Sequence, residues 1–145
     1  MSTPVKTALE VLRWRDQRID WRDDPVPLAD KFGWHRGHYG EMAGNKVRAS
    51  IAVIPFGQAG PPHSTPMEHI IFVLEGEIEF LLGPDRTPFP LSKYDTLYIP
   101  ADHRYEYSNV GREDVYLLAV ASADRGPTTY WLPGEDEPRQ VSGGR

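Results

Sequence analysis

The clearest hydrophobic pattern in the chain is an unbroken apolar run from Ile70 to Leu74, bounded on both sides by turn-forming residues. Bulky and β-branched residues in such a run favour a strand that is buried on both faces. Successive side chains of a strand point to opposite faces. The alternation therefore predicts two rows of side chains: His69, Ile71 and Val73 on one face, and Ile70, Phe72 and Leu74 on the other.

Short apolar or alternating segments recur along the chain, and turns such as Gly83-Pro84-Asp85 separate them. They predict six further strands, at residues 47–55, 77–82, 87–91, 96–99, 104–108 and 115–121. Many short strands at regular intervals are typical of a closed or two-sheet antiparallel barrel. Because the chain has no internal repeat, the pattern predicts one all-β barrel over residues 47–133.

Residues 1–46 are predicted to form an N-terminal extension of this barrel. Its tryptophans, Trp14, Trp21 and Trp34, lie among charged residues, which is typical of aromatic side chains that cover a barrel or a subunit interface. Residues 5–13 fit a short helix and an edge strand equally, and both alternatives stay open.

Two segments near the ends of the chain are predicted to be irregular. Residues 33–40 are rich in glycine and predict a loop that carries His35 and His38. These histidines are either exposed or part of a flap over a pocket. Residues 134–145 predict a flexible tail.

Length and composition limit the class of protein. The 145 residues suffice for one domain with its own core, and the absence of cysteine excludes disulfides and thiolate metal ligands. No apolar run has the length of a membrane span, and the first ten residues lack the features of a secretory signal. We therefore expect a cytoplasmic protein that does not bind a membrane.

The charge pattern argues against a nucleic-acid partner. The formal net charge is −5, and the basic residues near the N-terminus alternate with aspartates. Such interleaving is typical of a solvated, salt-bridged segment and not of a phosphate-binding surface. The residues concerned are Arg13, Arg15, Arg18 and Arg22, with Asp16, Asp20, Asp23 and Asp24 between or beside them.

Candidate chemistry is concentrated in the segment from Gly57 to Gly76. A turn rich in glycine and proline leads to His63, Glu68 and His69, which directly precede the apolar strand. Imidazoles and a carboxylate at the mouth of a rigid strand are suited to a metal site or a small-molecule pocket.

The same segment resembles the first conserved motif of the cupins: glycine, five residues, His-x-His, three or four residues, Glu, six residues, glycine. Gly57, His63 and Gly76 occupy the corresponding positions with the full spacing. Thr65 stands at the second histidine position, and His69 stands at the glutamate position.

The second cupin motif is also recognisable: glycine, five residues, Pro-x-Gly, two residues, His, three residues, Asn. Residues 94–105 follow this pattern, and Asn109 falls in register. The replaced positions are the leading glycine (Tyr94 or Asp95), the inner glycine (Asp102) and the third histidine (Tyr105). His103 precedes Tyr105 by two residues. The two side chains therefore point to the same face if the strand is already regular at His103.

The resemblance implies an all-β cupin barrel, RmlC-like, of the double-stranded β-helix or jelly-roll type, with the N-terminal extension attached. It also implies a homodimer, because cupins commonly pair through a second apolar sheet face. The row containing Ile70, Phe72 and Leu74 would supply that face.

The resemblance further implies that His63, Thr65, His69 and Tyr105 converge on one pocket, with His103 at its rim. We expect His63, His69 and His103 to bind a divalent transition metal (Mn, Fe, Ni, Zn or Cu), with a metal-free pocket as the alternative. Tyr105 or Glu68 would transfer a proton. Tyr98 and Tyr107 are predicted as pocket walls, and packing in the core or at an interface is the alternative for each.

The function predicted from this site is that of a metal-dependent lyase, isomerase or amidohydrolase. Its substrate would be a small polar metabolite that contains a carboxylate or a hydroxy-carbonyl group. The run P-M-E-H-I-I-F-V-L-E-G is similar to the (S)-ureidoglycine aminohydrolases, manganese cupins with histidine at the glutamate position. Two alternatives remain: a metal-free cupin that binds a small molecule without catalysis, and a dioxygenase with a three-histidine iron site.

Overall fold

A computed structural model describes residues 5–23 and 35–141 of the chain. These residues contain one short 3₁₀ helix, Trp14–Asp16, and twelve strands. The strands are β1 (Ile19–Asp23), β2 (His35–Ala43), β3 (Val47–Ile54), β4 (His63–Ser64), β5 (His69–Glu75), β6 (Ile78–Leu82), β7 (Thr87–Leu91), β8 (Thr96–Ile99), β9 (Tyr105–Ser108), β10 (Val115–Ser122), β11 (Thr128–Tyr130) and β12 (Arg139–Val141).

The described strands form two antiparallel sheets with six strands each. The first sheet has the order β1-β2-β3-β10-β5-β8, and the second has the order β12-β11-β4-β9-β6-β7. Strands that are distant in sequence, such as β3 and β10, are neighbours, because the chain passes repeatedly from one sheet to the other. This is the topology of a jelly roll, and it confirms the predicted all-β class.

Strand β5 alternates as predicted, but its two faces differ in burial. His69, Ile71 and Val73 point toward the second sheet, where Ile71 and Val73 are buried. On the opposite face Ile70 is 48% exposed. Within one chain the strand is therefore buried on one face only, contrary to the prediction from its apolar composition.

The apolar core lies between the two sheets. Ile54 and Val115 face each other across β3 and β10, and Val73, Ile78 and Phe80 complete the centre. Each of these side chains is at most 2% exposed. Burial of one such side chain stabilises the fold by about 1.5–3 kcal/mol.

The N-terminal part of the chain extends the first sheet. The predicted loop at residues 33–40 is wrong for its described part, because β2 pairs with both β1 and β3. Gly37 is required for close packing within this sheet: a Cβ there would lie 2.5 Å from Cγ2 of Ile19. Gly33 and Trp34 lie outside the described residues.

The two histidines of β2 point to opposite faces. The His35 ring stacks on Trp21, with centroids 4.9 Å apart, on the outer face. His38 is paired with Ala52, which packs against the core, and therefore points inward. Residues 5–13, for which the sequence allows a short helix or an edge strand, form no regular element.

Near the C-terminus, part of the predicted flexible tail is ordered into a strand. Strand β12 pairs with β11, and β11 pairs in turn with β4. These pairings extend the second sheet beyond residue 134. The boundaries of the barrel and of its two terminal segments stay a prediction.

The backbone turns of both motifs are present even where their glycines are replaced. Gly57 and Gly76 have φ values of +78° and +89°, and Tyr94 and Asp102 have φ values of +74° and +61°. All four lie in the left-handed region that favours glycine. Tyr94, and not Asp95, therefore takes the position of the leading glycine.

Candidate active site

The interior of the barrel contains a cluster of polar rings around His63. Strand β4 places His63 between β9 and β11, where it is paired with Tyr105 on one side and Tyr130 on the other. The ring centroid of His63 lies 4.3 Å from that of Tyr105 and 5.8 Å from that of Tyr130. His63 is only 8% exposed, so this cluster is enclosed.

The hydrogen bond of His63 defines its tautomer. Nδ1 lies 2.7 Å from the carbonyl oxygen of Pro61, and a carbonyl oxygen only accepts, so Nδ1–H donates to it. Nε2 is then an acceptor that is directed away from this bond. Burial lowers the pKa of His63 to about 4, and Arg36 and His69 act in the same direction.

His69 contributes a second imidazole to the inner wall. It is paired with Ala121 of β10 and Ile99 of β8, and its ring centroid lies 6.3 Å from that of Tyr105. Burial, followed by the charge of Arg48, lowers the pKa of His69. Nδ1 of His69 is buried and has no hydrogen-bond partner among the described residues.

Tyr105 lies between the two imidazoles. It belongs to the apolar core, and burial raises the pKa of its hydroxyl. The phenol is therefore protonated at neutral pH and acts as a hydrogen-bond donor. Thr65 is buried nearby, but its hydroxyl is bonded to the backbone of Met67 at 3.2 Å and stabilises a local turn.

His103 lies outside this cluster. It is exposed, and its Nδ1 lies 3.1 Å from the carbonyl oxygen of Arg104. The predicted alternation does not extend back from Tyr105, because β9 begins at Tyr105 and His103 follows the turn at Asp102. The structure thus separates His103 from His63 and His69.

Glu68 and Tyr98 form a separate pair at the rim of the first sheet. The Tyr98 hydroxyl donates to Oε2 of Glu68 over 3.3 Å, and Tyr98 is 53% exposed. Tyr98 is paired with Ile70, so both point to the outer face. The two side chains help to line a groove at this rim, which is also lined by residues of both faces of the sheet: Val47, His69, Ile70, Val120, Ala121 and Ser122.

Tyr107 packs against the apolar core, the alternative considered for it, and lies next to a residue that the sequence did not point to. Its ring centroid lies 6.1 Å from that of Phe80, and its hydroxyl is within hydrogen-bonding reach of the Arg36 guanidinium. Burial alone would lower the pKa of Arg36, but Tyr107, Tyr130 and Tyr105 outweigh it and the pKa is raised. The interior therefore contains a cation.

Comparison with known proteins identifies the family. The sequence model of the cupin domain (Cupin_2) matches residues 50–121, which extend from β3 into β10 and include both motifs. The chain belongs to the cupin superfamily. No curated protein matches this cupin by sequence.

Solved structures support the fold of this cupin over most of its length. The polyketide cyclase RemF from Streptomyces resistomycificus aligns with a TM-score of 0.71 and 17% identity, over 89% of each chain. A sugar phosphate isomerase of the cupin superfamily from Silicibacter pomeroyi aligns with a TM-score of 0.70 and 14% identity, over 92% of this chain and 87% of its own.

The DMSP lyase DddQ from Ruegeria pomeroyi aligns with a TM-score of 0.63 and 22% identity. The alignment covers 81% of this cupin and 64% of that chain. At these identities the three likenesses show the shared fold and leave the activity open. No helix in the described residues is long and apolar enough to cross a membrane.

The metal that is expected of a cupin requires a set of donor side chains around the site. His63 and His69 offer two imidazole nitrogens, whereas Thr65 is bonded to the backbone and His103 faces solvent. In residues 5–23 and 35–141, no three histidine or carboxylate side chains come together to hold an ion. The predicted three-histidine set is therefore not assembled there.

Proposed function

We propose that this cupin is a lyase or isomerase that moves a proton within a small hydroxy-carbonyl or carboxylate metabolite held inside the barrel. One observation carries the proposal: His63 and His69 are neutral imidazoles on the inner wall, with the protonated phenol of Tyr105 between them. Two bases and an acid close together are the groups that such a reaction needs.

The geometry suggests a role for His63 and a role for Tyr105. Nε2 of His63 takes a proton from the carbon next to a carbonyl group, and the electron pair of that C–H bond moves toward the carbonyl oxygen. The Tyr105 hydroxyl donates a hydrogen bond to this oxygen and stabilises its developing charge. The imidazolium of His63 then returns the proton to a neighbouring atom, or a leaving group departs. No external oxidant or reductant is required.

The names of three structural neighbours are compatible with this class of reaction. A cyclase, an isomerase and a lyase share the fold over most of this chain. The sequence-based prediction of a metal-dependent enzyme remains a proposal, since two imidazoles alone do not complete the expected set of ligands. The likeness to the ureidoglycine aminohydrolases also stays a prediction, and no observation favours the dioxygenase alternative.

Proton exchange with solvent tests the proposal directly. The protein, purified without an affinity tag, is incubated in D₂O with a panel of 2-oxo acids, hydroxy acids and sugar phosphates. Proton NMR then detects deuterium uptake at carbon. We expect His63→Gln to lower the exchange rate at least ~100-fold, the lower range for general acid–base catalysis. His103→Gln is the matched control, because His103 lies outside the barrel, and it should retain the wild-type rate.

Metal dependence is read in the same experiment by elemental analysis of the purified protein and by addition of EDTA. Exchange that survives EDTA supports catalysis by the side chains alone, and exchange that is lost and restored by one divalent ion supports the metal-dependent form. Ligands that raise the melting temperature without any exchange would favour a binding protein and overturn the enzymatic proposal.

We also propose a homodimer, as expected for the exposed outer face of the first sheet. Ile70 and Tyr98 are about half exposed there, and Val47 adds further apolar surface at 55% exposure. Sedimentation velocity should give about twice the chain mass. Ile70→Lys should shift the protein toward a monomer, because it places a charge on this apolar face.

A further inference from the structure

The inner face of β1 and β2 carries a group of charged and polar side chains that the reaction described above does not use. Arg22 is paired with Arg36, and Asp20 is paired with His38. Directly paired residues share a face, so all four side chains lie on the side to which His38 points; the side chains of Arg22 and Asp20 are still 38% and 60% exposed, so these two lie at the rim. Strands β1 and β2 thus bring two arginines next to each other at the barrel wall.

The two arginines differ in how their charge is compensated. Arg22 forms an ion pair with Asp20, with Nη2 at 2.8 Å and Nε at 2.9 Å from the same carboxylate oxygen. Arg36 is more deeply buried, and its neighbours are tyrosines; no carboxylate of the described residues forms an ion pair with it. Among the described residues, the buried charge of Arg36 therefore has no carboxylate partner.

Polar atoms of Arg36 and His38 also lack hydrogen-bond partners among the described residues. Nε of Arg36 and both ring nitrogens of His38 are buried without a hydrogen-bond partner in the described parts of the chain. Buried polar groups normally have partners, and an uncompensated buried charge is costly. An unpaired N–H of a buried guanidinium, next to a neutral imidazole that can donate one further N–H, is the arrangement that an anionic ligand completes.

The chemistry of the two side chains specifies the anion. The planar guanidinium binds a carboxylate with two parallel N–H donors, and a neutral imidazole offers one further N–H. Since Arg36 contributes a single positive charge without a carboxylate partner in the described residues, a monoanion fits better than a doubly charged phosphate. The charge of Arg36 also lowers the pKa of His63, so an anion held here would act electrostatically on the proton-transferring imidazole.

We propose that Arg36 and His38 form a subsite that binds the carboxylate of the substrate, and that the substrate is a small monocarboxylate whose reacting atoms lie toward His63. This inference rests on the proposed proton-transfer function for its orientation. Tyr107 is within hydrogen-bonding reach of Arg36, and the ring centroid of Tyr130 lies 5.8 Å from that of His63, so these two tyrosines offer aromatic surface for the body of the ligand.

Matched pairs of probes test the subsite without knowledge of the substrate. Acetate, pyruvate and benzoate are compared with their primary amides and with inorganic phosphate, and dissociation constants are measured by calorimetry at neutral pH. We expect at least one carboxylate to bind ~10-fold to ~100-fold more tightly than its amide, the range for a hydrogen bond to a charged group. Arg36→Gln should abolish this preference, and Arg36→Lys should retain only part of it because the planar fork is lost.

Arg104→Gln is the matched control. Arg104 also has an unpaired buried Nε, but its guanidinium stacks on Trp131 at 4.8 Å. This change should leave the preference for carboxylate intact. If Arg36→Gln does not fold, the nitrogen NMR signals of His38 in the wild-type protein provide the second measurement, since they should shift on addition of the carboxylate and not of its amide.

The outcomes separate this inference from the proposed function. Absence of carboxylate binding, tighter binding of phosphate, or an unchanged preference in Arg36→Gln would each overturn the subsite, even if His63→Gln abolished proton exchange. A preference that depends on Arg36, without exchange on any carboxylate, would retain the subsite and overturn the reaction.

Discussion

The stability of this cupin should depend on pH because His63 is buried in its neutral form. Burial lowers the pKa of His63 to about 4, from an ordinary value of about 6.5 in the unfolded chain. Between these values the unfolded chain binds a proton that the folded protein does not bind. The contribution of His63 to stability is therefore fully present above pH 6.5 and is lost as the pH falls toward 4.

The magnitude follows from the two pKa values. The full difference corresponds to roughly 3 kcal/mol, and about 2 kcal/mol of it is lost between pH 7 and pH 5. The pKa of His38 is also lowered to about 4, mainly by burial, so it should add a loss of the same sign. Together the two histidines make mild acid strongly destabilising.

Urea denaturation at pH 7, 6 and 5, followed by tryptophan fluorescence in the presence of EDTA, measures this loss. We expect the free energy of unfolding of His63→Gln to fall by about 2 kcal/mol less than that of the wild type over this range. The comparison uses the change with pH, so any constant cost of the substitution cancels. His103→Gln, at the surface, should show the wild-type dependence. Equal pH dependence in the wild type and His63→Gln would refute the reasoning.

Two substitutions in the second motif test its backbone and its buried amide. Asp102→Gly should stabilise the fold by about 0.5–1 kcal/mol, because Asp102 is exposed and has a φ of +61°, whereas Ala101→Gly in the same turn should not. Asn109→Ala should cost about 3 kcal/mol, because the Asn109 side chain bonds Ile54, Gly111 and Glu113 and its loss leaves a buried carbonyl unpaired. Chemical denaturation measures both effects; a stable Asn109→Ala or a destabilised Asp102→Gly would contradict them.

Strands β3 and β5 to β10 could be predicted from their apolar or alternating residues, whereas the short strands β4 and β11 carry too few residues for a pattern. In β5, which is apolar throughout, the period-two geometry of a strand placed His69 on the same face as the core residues Ile71 and Val73. The motif spacing located Tyr94 and Asp102 at turns, although neither residue is the glycine that those turns favour. Local information of this kind is sufficient wherever one face of a strand is buried by its own chain.

Strand β2 could not be predicted in this way. Its glycines are typical of a loop, and the reason for Gly37, contact with Ile19, depends on a strand that lies distant in sequence. Because β2 could not be predicted from the sequence, the inward position of Arg36 could not be predicted either. His103 was misplaced for a related reason, since periodicity was extended through a turn that ends the alternation.

The replaced metal-ligand positions of the two cupin motifs and the buried cation Arg36 can be explained together. A positive charge at Arg36 lowers the pKa of His63 and would act in the same way against a divalent ion on Nε2. A bound carboxylate would reverse this effect, because it neutralises Arg36 and places a negative charge near the imidazole. The pKa of His63 should then rise when the ligand binds, while burial, the larger cause, still holds it below its ordinary value; the imidazole becomes a better base. In this arrangement the carboxylate of the substrate increases the basicity of His63, which takes the proton of the substrate. In a metal-dependent cupin the ion would assist the removal of that proton instead.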